Sequence, residues 1–549
     1  MIIVLDRRGG QLTASIDDGP LEPIGDLASF VARLEREHPR WVWDDTSWWY
    51  PRLLDARVRV ERCFDLRLCH AILRTSVLTS GSELARSAPS AWDAPPPIER
   101  RPAGDALFEL EEERTAELPD PVAEFRAQRT AVESAEQPGR IDRLLAAESA
   151  GALIAVELRH AGLPWRAREH DEILTEILGP RPAAGERPAK LAAALERVRE
   201  AIDLPDLNPD SPVELLKQLR NAGLNVSSTS QWELTEIEHP VVEPLLEYKK
   251  LARLLSANGW SWLETWVADG RFRPDYVPGG VVTGRWATSG GGALQLPRQI
   301  RGAVVADPGW TLVVADASQL EPRILAALAG DSAMLAAGAA GDLYAGIVAS
   351  GTVETRDQAK VGMLGAMYGG TTGESGRILP RLARAYPRAI GLVEEAARAG
   401  ERGEQVTTRL GRSSPRPGSG WQQAQADASG EAATEASTSR ARSQARSWGR
   451  FTRNFVVQGS AAEWALCWMA SIRRRLRDLG GGAWLTESAH LVFFLHDEIV
   501  VHCPKEQAED VAAAVREAAD EAGRLLFGES SARFPVTVAV VDNYGQAKG

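Results

Sequence analysis

The segment TLVVADASQLEPRILAALAGD, residues 311–331, limits the possible folds of this 549-residue chain more than any other stretch. Its apolar run LVVA predicts a buried strand that ends at Asp316. A helix is then expected to begin near Glu321, with Pro322 in its first turn, where the missing N–H of proline does no harm. This order of strand, turn and helix predicts an α/β architecture with a carboxylate at the rim of a sheet.

The surroundings of Asp316 suit a hard divalent cation. The carboxylate ends the predicted strand, and the backbone carbonyl of Ala317 stands beside it. Magnesium prefers a few oxygen ligands and completes its shell with water and phosphate. An aspartate before a helix is more often a simple N-cap, so this segment alone does not establish a metal site.

A second segment, LVFFLHDEIVVHC at residues 491–503, predicts a hairpin of two apolar strands. Asp497 and Glu498 are expected at its tight turn, where aspartate is common for conformational reasons alone. Two adjacent carboxylates between buried strands also repel each other, and a cation would relieve that repulsion. Asp316 and Asp497, on separate strands of one sheet, could then bind two metal ions about 3.5–4 Å apart.

A third segment, RDQAKVGMLGAMYGG, predicts a helix with a basic face. Arg356, Lys360 and Leu364 recur every four residues and share that face, with Tyr368 one step further. An arginine and a lysine one turn apart could clamp a triphosphate, although a solvated basic stripe is the alternative. The glycines of this segment are poor helix formers and indicate the close approach of a base or a neighbouring helix.

Periodicity along the rest of the chain predicts two ordered blocks joined by a polar connector. The first block has strand-like runs at MIIVLD, WVWDD and VRVERC and a helix at DLRLCHAIL. Long helical patterns dominate from about residue 140, and strands return at TLVVAD, LVFFL, IVVHC and VTVAVV. The small polar stretch 417–447 fits either a loose loop or an exposed helix, and periodicity does not decide between them.

The three segments, in this order, resemble the motifs of family A DNA polymerases, the family of bacterial DNA polymerase I. The similarity covers roughly residues 140–549 and implies an α/β right-hand polymerase with palm, thumb and fingers. Four further stretches resemble family motifs: Thr283-Gly284-Arg285, Leu294-Gln295, the helix RFTRNFVVQGSAAE and the C-terminal DNYGQA.

This resemblance implies template-directed addition of deoxynucleotides to a primer 3′-hydroxyl, in DNA replication or repair. It implies two magnesium ions, replaceable by manganese, held by Asp316, Asp497 and the carbonyl of Ala317. The residues with implied catalytic roles are Asp316, Asp497, Glu498 and Lys360. Those implied to contact the nucleotide are Gln319, Glu321, Tyr344, Arg356, Lys360, Leu364 and Tyr368. Those implied to contact primer-template DNA are Thr283, Arg285, Gln295, Arg450, Asn454, Gln458 and His496.

Two positions depart from the family pattern. Leu364 stands where the family usually has phenylalanine or tyrosine, so apolar contact with the nucleotide is kept and stacking is lost. Tyr344 stands where the family usually has a histidine that touches the phosphates. Because no metal ligand is missing, we expect an active enzyme with weakened binding of the incoming nucleotide.

The position of the N-terminal block suggests a relative of the 3′–5′ proofreading exonuclease domain. Such a domain begins with an Asp-x-Glu pair, but here the first strand ends in Asp6-Arg7-Arg8. Asp44, Asp45 and Asp65 remain as acids, and an arginine in place of the second carboxylate would repel a cation. We therefore expect residues 1–95 to form an inactive exonuclease-like domain, with active proofreading as the alternative.

The predicted organisation is a linker at 96–139 and a polymerase domain at 140–549. Within that domain the thumb is expected at about 190–270, the fingers at about 342–449 and the palm in the remainder. A separate 5′-nuclease domain is not expected in a chain of this length. Three other functions stay open: an exonuclease whose polymerase half only binds DNA, a silent DNA-binding protein, and a single-subunit RNA polymerase.

Composition adds limits on location and partners. The net charge of −12 argues mildly against a simple nucleic-acid binder, but a cleft enzyme needs only a local positive lining. Arginine runs such as RRRLR at 473–477 are usually solvated faces and carry little weight. The N-terminus lacks the features of a signal peptide, no apolar run would cross a bilayer, and four scattered cysteines suit a reducing compartment. We expect a cytoplasmic, nucleoid-associated monomer without a membrane partner, acting on primer-template DNA and dNTPs.

Overall fold

The computed structural model describes residues 1–94, 119–183, 185–235, 237–370, 373–430 and 433–547. The chain divides into two compact units. The first comprises Met1–Ala161, Asp275–Ser289 and Val313–Ala539, and the second comprises Gly162–Pro274, Gly290–Leu312 and Val540–Gly549. Of the predicted linker at 96–139, residues 96–118 lie outside the described residues.

A five-stranded sheet with the order β3-β2-β1-β4-β5 forms the start of the first unit. Its strands are β1 (Ile2–Asp6), β2 (Thr13–Ile16), β3 (Glu22–Pro23), β4 (Arg40–Trp43) and β5 (Cys63–Asp65). Strand β1 is parallel to β4, and β4 is parallel to β5, whereas β2 runs antiparallel to both β1 and β3. The carboxyl ends of the parallel strands therefore meet at one edge, which carries the predicted acidic residues.

Six helices accompany this sheet. They are α1 (Leu27–Leu34), α2 (Thr46–Asp55), α3 (Leu66–Thr75), α4 (Glu83–Arg86), α5 (Pro121–Glu133) and α6 (Pro138–Ala161). Trp41, Trp43 and Trp49 are fully buried and form much of the core, because bulky aromatic side chains fill the space between the sheet and its helices. The predictions of a first strand, of a helix at DLRLCHAIL and of a long helix after residue 140 are confirmed.

The prediction of a strand at VRVERC is wrong for most of that run, since β5 begins only at Cys63. The reason is that the backbone carbonyls there are used by a side chain. The carbonyl of Val60 accepts a hydrogen bond at 2.5 Å, and that of Glu61 one at 2.7 Å, both from the Arg473 guanidinium. These groups are thus satisfied without a neighbouring strand.

The second unit is mainly helical. Its helices are α7 (Ala167–Leu178), α8 (Ala189–Ile202), α9 (Pro212–Asn221), α10 (Gln231–Thr235), α11 (Val242–Asn258) and α12 (Trp260–Trp266). A small sheet of order β6-β8-β7 contains β6 (Leu163–Pro164), β7 (Val267–Ala268) and β8 (Arg271–Phe272). Trp165, Trp262 and Phe272 pack around the buried ring of His170 or against each other, with ring centroids 4.8–5.6 Å apart. The prediction that long helices dominate from about residue 140 is confirmed in this unit by α8 and α11.

A four-stranded sheet of order β12-β13-β11-β14 carries the sequence segments that predicted chemistry. Its strands are β11 (Trp310–Ala317), β12 (His490–Leu495), β13 (Glu498–Pro504) and β14 (Val536–Val541). All four were predicted from their apolar runs, and β12 and β13 form the predicted antiparallel hairpin. A separate two-stranded sheet pairs β9 (Asp275–Val277) with β10 (Ala287–Gly290).

The remaining helices of the first unit follow β11 along the chain. They are α13 (Leu320–Ala329), α14 (Ser332–Gly338), α15 (Leu343–Ala349), α16 (Arg356–Tyr368), α17 (Gly373–Ala385), α18 (Pro387–Glu401), α19 (Ser419–Ser429), α20 (Glu435–Leu479) and α21 (Ala508–Phe527). The described part of the stretch 417–447 is largely helical, because α19 and the first turns of α20 occupy it. Helix α20 is 45 residues long and begins with a capping box between Thr434 and Ser437.

Within the described ranges, no individual helix combines the length and apolar content needed to cross a bilayer. The short helices α14 and α15 meet the criterion only as a pair, and they are bent by 114° relative to each other.

Candidate active site

Asp316, on β11, lies close to Asp497, in the turn that leads into the neighbouring strand β13. Asp316 is the penultimate residue of β11, and Asp497 lies in the turn before β13. The backbone N–H of Ala317 donates a 2.9 Å hydrogen bond to the carbonyl of Asp497. Both aspartates are half-buried. The structure therefore places the backbones of the two aspartates that the sequence predicted as metal ligands next to each other.

The hairpin turn differs from the prediction by one residue. Leu495 pairs with Glu498 across the ladder, so only His496 and Asp497 remain in the turn. Glu498 is the first residue of β13 and is only 2% exposed, because a two-residue turn leaves it inside the strand. His496 takes the left-handed conformation, with φ of 59°, that such a tight turn requires. Partial desolvation, followed by the charge of Arg285, lowers the pKa of His496.

The donor atoms at this edge suit an open magnesium site, in which the protein supplies only some of the ligands. Asp316 and Asp497 offer carboxylates, and Ala317 adds a backbone carbonyl, so all three groups supply oxygen. Nowhere in the described ranges do three or more His, Cys, Asp or Glu side chains converge as a complete metal site. Magnesium commonly binds through one or two carboxylates and keeps water and phosphate as its other ligands.

Helix α16 presents the predicted face of four residues. Arg356, Lys360 and Tyr368 are exposed and Leu364 is half-buried, all spaced by four residues along the helix. The N-cap of this helix is Thr355, whose side chain accepts from the N–H of Gln358. The helix thus has a basic face that is accessible to a ligand.

The opposite side of α16 packs against α17. A Cβ atom added at Gly362 would lie 2.6 Å from Ile378 Cγ2, and one at Gly365 would meet Ser375. The close approach that the glycines predicted is therefore made by a neighbouring helix, which leaves the basic face free of this packing.

Asp342 links Arg356 to the loop that follows β11, and sequence analysis did not single it out. Its Oδ1 accepts from Gln319 Nε2 at 2.8 Å and from the N–H of Ala345 at 3.0 Å, which caps α15. Its Oδ2 accepts from Arg356 Nε at 2.9 Å. Burial alone would raise the pKa of Asp342, but these hydrogen bonds outweigh it and lower the pKa to about 2. Asp342 therefore stays ionised beside Arg356.

Tyr344 lies beneath Arg356. The guanidinium carbon stands 5.5 Å from the centroid of the Tyr344 ring, within the range of a cation–π contact. The ring is 6% exposed, and burial raises the pKa of its hydroxyl to about 12. Tyr344 thus supports the arginine that the sequence predicted to bind phosphate.

Glu321, at the start of α13, accepts hydrogen bonds from two other predicted residues. Tyr368 donates its hydroxyl to Glu321 Oε2 at 2.6 Å, and Arg285 forms an ion pair with Oε1 of the same carboxylate. Gln458 Nε2 donates to the Tyr368 hydroxyl at 3.3 Å. One hydrogen-bond network therefore joins Tyr368, a predicted nucleotide-binding residue of α16, to Arg285 and Gln458, which were predicted to bind DNA.

The other predicted DNA-binding residues are distributed along α20, a loop and the second unit. Arg450 is exposed on α20 and Asn454 is half-buried there. The Thr283 carbonyl would lie 3.1 Å from a Cβ atom at Gly459, so the Thr-Gly-Arg loop contacts α20 closely. Gln295 is exposed in a short turn of the second unit and does not belong to the same compact unit as the others.

Arg323 holds the loop after β11 in place and was also missed by the sequence analysis. It is 3% exposed, and its guanidinium donates to the backbone carbonyls of Ser318 and Gly338 at 3.0 Å. Further bonds reach the carbonyls of Gly341 and Arg533. A buried arginine bound to carbonyls has no distinctive pattern in sequence, because arginine is usually exposed.

Comparison with known proteins identifies the family. The model of the family described as DNA polymerase family A matches residues 186–546, which is more than half of the chain. The chain belongs to DNA polymerase family A. The predicted resemblance and the predicted α/β fold with a polymerase architecture are thereby confirmed.

Curated relatives of this family A chain include bacterial DNA polymerases I. The thermostable DNA polymerase I of Thermus thermophilus is 26% identical over 326 residues, covering 54% of this chain and 36% of the relative. DNA polymerase I of Aquifex aeolicus is 27% identical over 371 residues, covering 63% of this chain and 60% of the relative. The chain thus spans only part of the length of these relatives.

One solved structure is similar along the whole chain. It is the POL domain of Pol1 from M. smegmatis, in complex with DNA primer-template and dNTP. The TM-score is 0.66 at 18% sequence identity, and the match covers 100% of this chain and 96% of that chain. At this identity the likeness concerns the fold alone.

The N-terminal sheet edge of this family A chain holds Asp6 and Asp44 in ion pairs. Arg8 binds Asp6 with an Nη2–Oδ2 distance of 2.8 Å, and Arg7 binds Asp44 with an Nη2–Oδ2 distance of 2.7 Å. Trp49 Nε1 also donates to Asp44 at 2.7 Å. Guanidinium groups therefore supply the positive charge at this edge.

Asp65 serves the backbone at the same edge. It caps α3 by accepting from the N–H of Leu68, and it also accepts from the N–H of Thr46 at 2.8 Å. Burial, reinforced by the nearby charge of Asp45, raises the pKa of Asp65 to about 7. The Asp65 carboxyl group therefore stabilises the start of α3 and the nearby backbone of Thr46.

Proposed function

We propose that this chain is a template-directed DNA polymerase that adds deoxynucleotides to a primer 3′-hydroxyl by two-metal phosphoryl transfer. The observation that carries the proposal is the backbone hydrogen bond from Ala317 to Asp497, which places Asp316 near Asp497 in a family A chain. Replication or repair of DNA is the process that such a reaction serves. The M. smegmatis domain with a similar fold holds primer-template DNA and dNTP, which supports the same substrates for this chain.

Asp316, Asp497 and the carbonyl of Ala317 would hold two magnesium ions, with manganese as a substitute. When bound, such ions lower the pKa of the attacking hydroxyl and stabilise the leaving pyrophosphate. Arg356 and Lys360, exposed one turn apart on α16, would bind the triphosphate. Lys360 would also donate a proton to the leaving group.

Selection of the sugar and of a paired duplex would involve the network around Glu321. That carboxylate would stand where a ribose 2′-hydroxyl would clash. Arg285 and Gln458 would contact minor-groove acceptors that all base pairs share, so recognition would depend on pairing shape. Since Arg285 now pairs with Glu321 and Gln458 bonds to Tyr368, binding of DNA would require these contacts to exchange.

The remaining assignments follow the same proposal. His496 would steady the primer terminus, and Tyr368 would stack near the templating base. Gln319, Tyr344 and Leu364 would complete the nucleotide site, and Thr283, Gln295, Arg450 and Asn454 would complete the contacts to DNA. Glu498 would support the catalytic turn from within β13.

Extension of an end-labelled primer on a DNA template tests the proposal. We expect extension by the wild type with magnesium, and its loss in Asp316→Asn and Asp497→Asn. Asp275→Asn is a matched control, because Asp275 is a half-buried aspartate in β9 that pairs with Arg159. Extension that persists in both site variants would contradict the metal assignment. DNA binding without extension, with either magnesium or manganese, would favour a silent DNA-binding protein.

We infer further that residues 1–95 are an inactive exonuclease-like domain, 96–139 a linker and 140–549 the polymerase domain. The proposed thumb is about 190–270, the fingers about 342–449 and the palm the remainder. The ion pairs of Arg8 with Asp6 and of Arg7 with Asp44 support the loss of activity, since guanidinium groups stand where cations would be needed. Incubation with labelled primer and metal but without dNTPs should leave the primer intact. Shortening of the primer would show that proofreading survives.

The proposal also concerns location and assembly. A polymerase acting on chromosomal DNA would work as a monomer in the cytoplasm, associated with the nucleoid. Light scattering of the purified chain, alone and with primer-template, measures its mass. A dimer mass would contradict the proposed monomer.

A further inference from the structure

A cavity of about 460 Å³ in the first unit has an arginine-rich wall that the proposed polymerase reaction does not use. Its wall includes Arg57 and Arg59, just after α2, and Arg477, in the last turn of α20. Gly482, Ala483, Trp484 and Glu487, between α20 and β12, complete the wall. We refer to this site as the arginine cavity. Three guanidinium groups facing one small volume require compensating negative charge.

The carboxylate beside Arg59 is already shared. Glu157 accepts from Arg473 through Nε at 2.9 Å and through Nη2 at 2.9 Å. Arg59 approaches the same carboxylate at 3.2 Å, and the Tyr50 hydroxyl donates to it at 2.6 Å. One buried carboxylate therefore compensates two guanidinium groups, and a surplus positive charge remains at Arg59.

The carboxylate beside Arg477 is also a weak partner. Arg477 reaches Glu35 only at 3.4 Å. Glu35 already accepts from Trp41 Nε1 at 2.8 Å and from the N–H of Glu61 at 2.6 Å. Burial raises the pKa of Glu35, although the charge of Arg477 opposes that shift. The carboxylate of Glu35 is thus shared among three donors and reaches Arg477 only at the longest of these distances.

The third arginine has a partner that can be displaced. Arg57 pairs with Glu487 at 2.6 Å, but the side chains are 60% and 56% exposed. An exposed pair of this kind contributes at most about 1 kcal/mol, so an anion can replace Glu487. Arg57 also lies 5.2 Å from the centroid of the Trp484 ring, which keeps its guanidinium at the cavity wall.

We propose that the arginine cavity binds the phosphate group of a small molecule, with Arg57, Arg59 and Arg477 as its ligands. Guanidinium forks match phosphate oxygens in a bidentate geometry. The cavity volume lies within the range of roughly 300–1,000 Å³ that is usual for small-molecule sites. Inorganic phosphate and a nucleoside monophosphate share this chemistry, and the experiment distinguishes them. The proposal is independent of the polymerase reaction, because none of these residues takes part in it.

Isothermal titration of the full chain with inorganic phosphate, and separately with dAMP, tests the proposal. Arg57→Gln and Arg59→Gln should each raise the dissociation constant of the probe that binds the wild type by roughly tenfold, since each removes a charged hydrogen bond. Tighter binding of dAMP than of phosphate would identify a nucleotide as the source, and equal binding would identify free phosphate. Thermal melting of both variants checks that they remain folded.

Arg181→Gln is the matched control. Arg181 pairs with Glu264 at 2.6 Å, with side chains 53% and 61% exposed, and thus repeats the Arg57–Glu487 pair elsewhere on the chain. It should leave binding unchanged. Glu487→Gln should strengthen binding, because it removes the anion that competes for Arg57, whereas Glu264→Gln should not.

Three results would overturn the proposal. The first is no binding of either probe at millimolar concentrations. The second is binding that is unchanged in Arg57→Gln and Arg59→Gln but lost in Lys360→Ala, which would place the ligand in the polymerase site. The third is binding of single-stranded DNA, weakened by Arg57→Gln, without binding of either small molecule. The primer-extension assay reports on the polymerase proposal separately, so failure of one proposal is distinguishable from failure of the other.

Discussion

Replacing Asp342 by asparagine should strengthen binding of the incoming nucleotide and leave the rate of the chemical step unchanged. The two oxygens of Asp342 have separate partners: Oδ1 accepts from Gln319 and Ala345, and Oδ2 accepts from Arg356. Asparagine keeps an oxygen for the first two partners and caps helices as well as aspartate does. The substitution therefore removes mainly the ion pair that competes with a triphosphate for Arg356.

The expected magnitude follows from the exposure of this pair. The side chains of Arg356 and Asp342 are 54% and 39% exposed, so water screens their attraction. Exposed pairs contribute about 0.2–1 kcal/mol, which corresponds to about a 1.4- to 5-fold gain in affinity when the competition is removed. The gain should shrink with rising salt, because the ion pair in the wild type weakens.

Single-nucleotide incorporation under rapid-quench conditions measures the dNTP dissociation constant and the rate constant separately. Asp120→Asn is a matched control, because Asp120 also caps a helix through Oδ1 and pairs with an arginine, Arg8, through Oδ2. Its side chain is 43% exposed, and it lies in the N-terminal part of the chain. Weaker nucleotide binding in Asp342→Asn would refute the reasoning and show that the carboxylate holds Arg356 in its productive position.

Three further predictions concern stability and nucleotide affinity. Glu157→Ala should lower the free energy of unfolding by about 3–5 kcal/mol in urea titrations, because it leaves Arg473 buried without its carboxylate. Glu517→Ala removes an exposed carboxylate that also pairs with an arginine, and an equal loss in that control would contradict the prediction. Burial lowers the pKa of His170 to about 4, below its unfolded value, so the wild type should lose up to about 3 kcal/mol relative to His170→Gln as pH falls from 7 to 4. Parallel pH profiles of the two proteins would refute that assignment. Leu364→Phe should tighten dNTP binding several-fold, because it restores ring stacking worth about 0.5–1.5 kcal/mol. An unchanged dNTP dissociation constant would show that residue 364 does not stack on the nucleotide.

Much of the fold could be predicted because apolar runs are long and well bounded. The four strands of the sheet that carries Asp316 follow from such runs, and so do helices α6 and α11. The spacing of four residues also predicted the accessible face of α16. These features depend on local pattern, which a single sequence contains.

Features that depend on tertiary partners could not be predicted in this way. The run RRRLR is typical of a solvated face, yet Arg473 is 6% exposed and bonds to Glu157, 316 positions away. The pairing of Asp342 with Arg356 is similarly invisible, because both residues are common on surfaces. The strand expected at VRVERC was wrong for the same reason: the Arg473 guanidinium takes carbonyls that a neighbouring strand would otherwise use.

The two acidic sheet edges of this chain illustrate how neighbouring residues decide what a carboxylate can do. At the N-terminal edge, Arg7 and Arg8 follow β1 directly, so the charge that balances Asp44 and Asp6 is built into the same turn. A divalent cation there would have to displace a guanidinium that is covalently part of the chain and therefore always present. At the edge with Asp316, a backbone hydrogen bond brings a second aspartate alongside, and both carboxylates stay accessible enough to take ligands from solution. The same element, a carboxylate at the end of a strand, is thus compatible with permanent neutralisation in one place and with metal-dependent chemistry in the other.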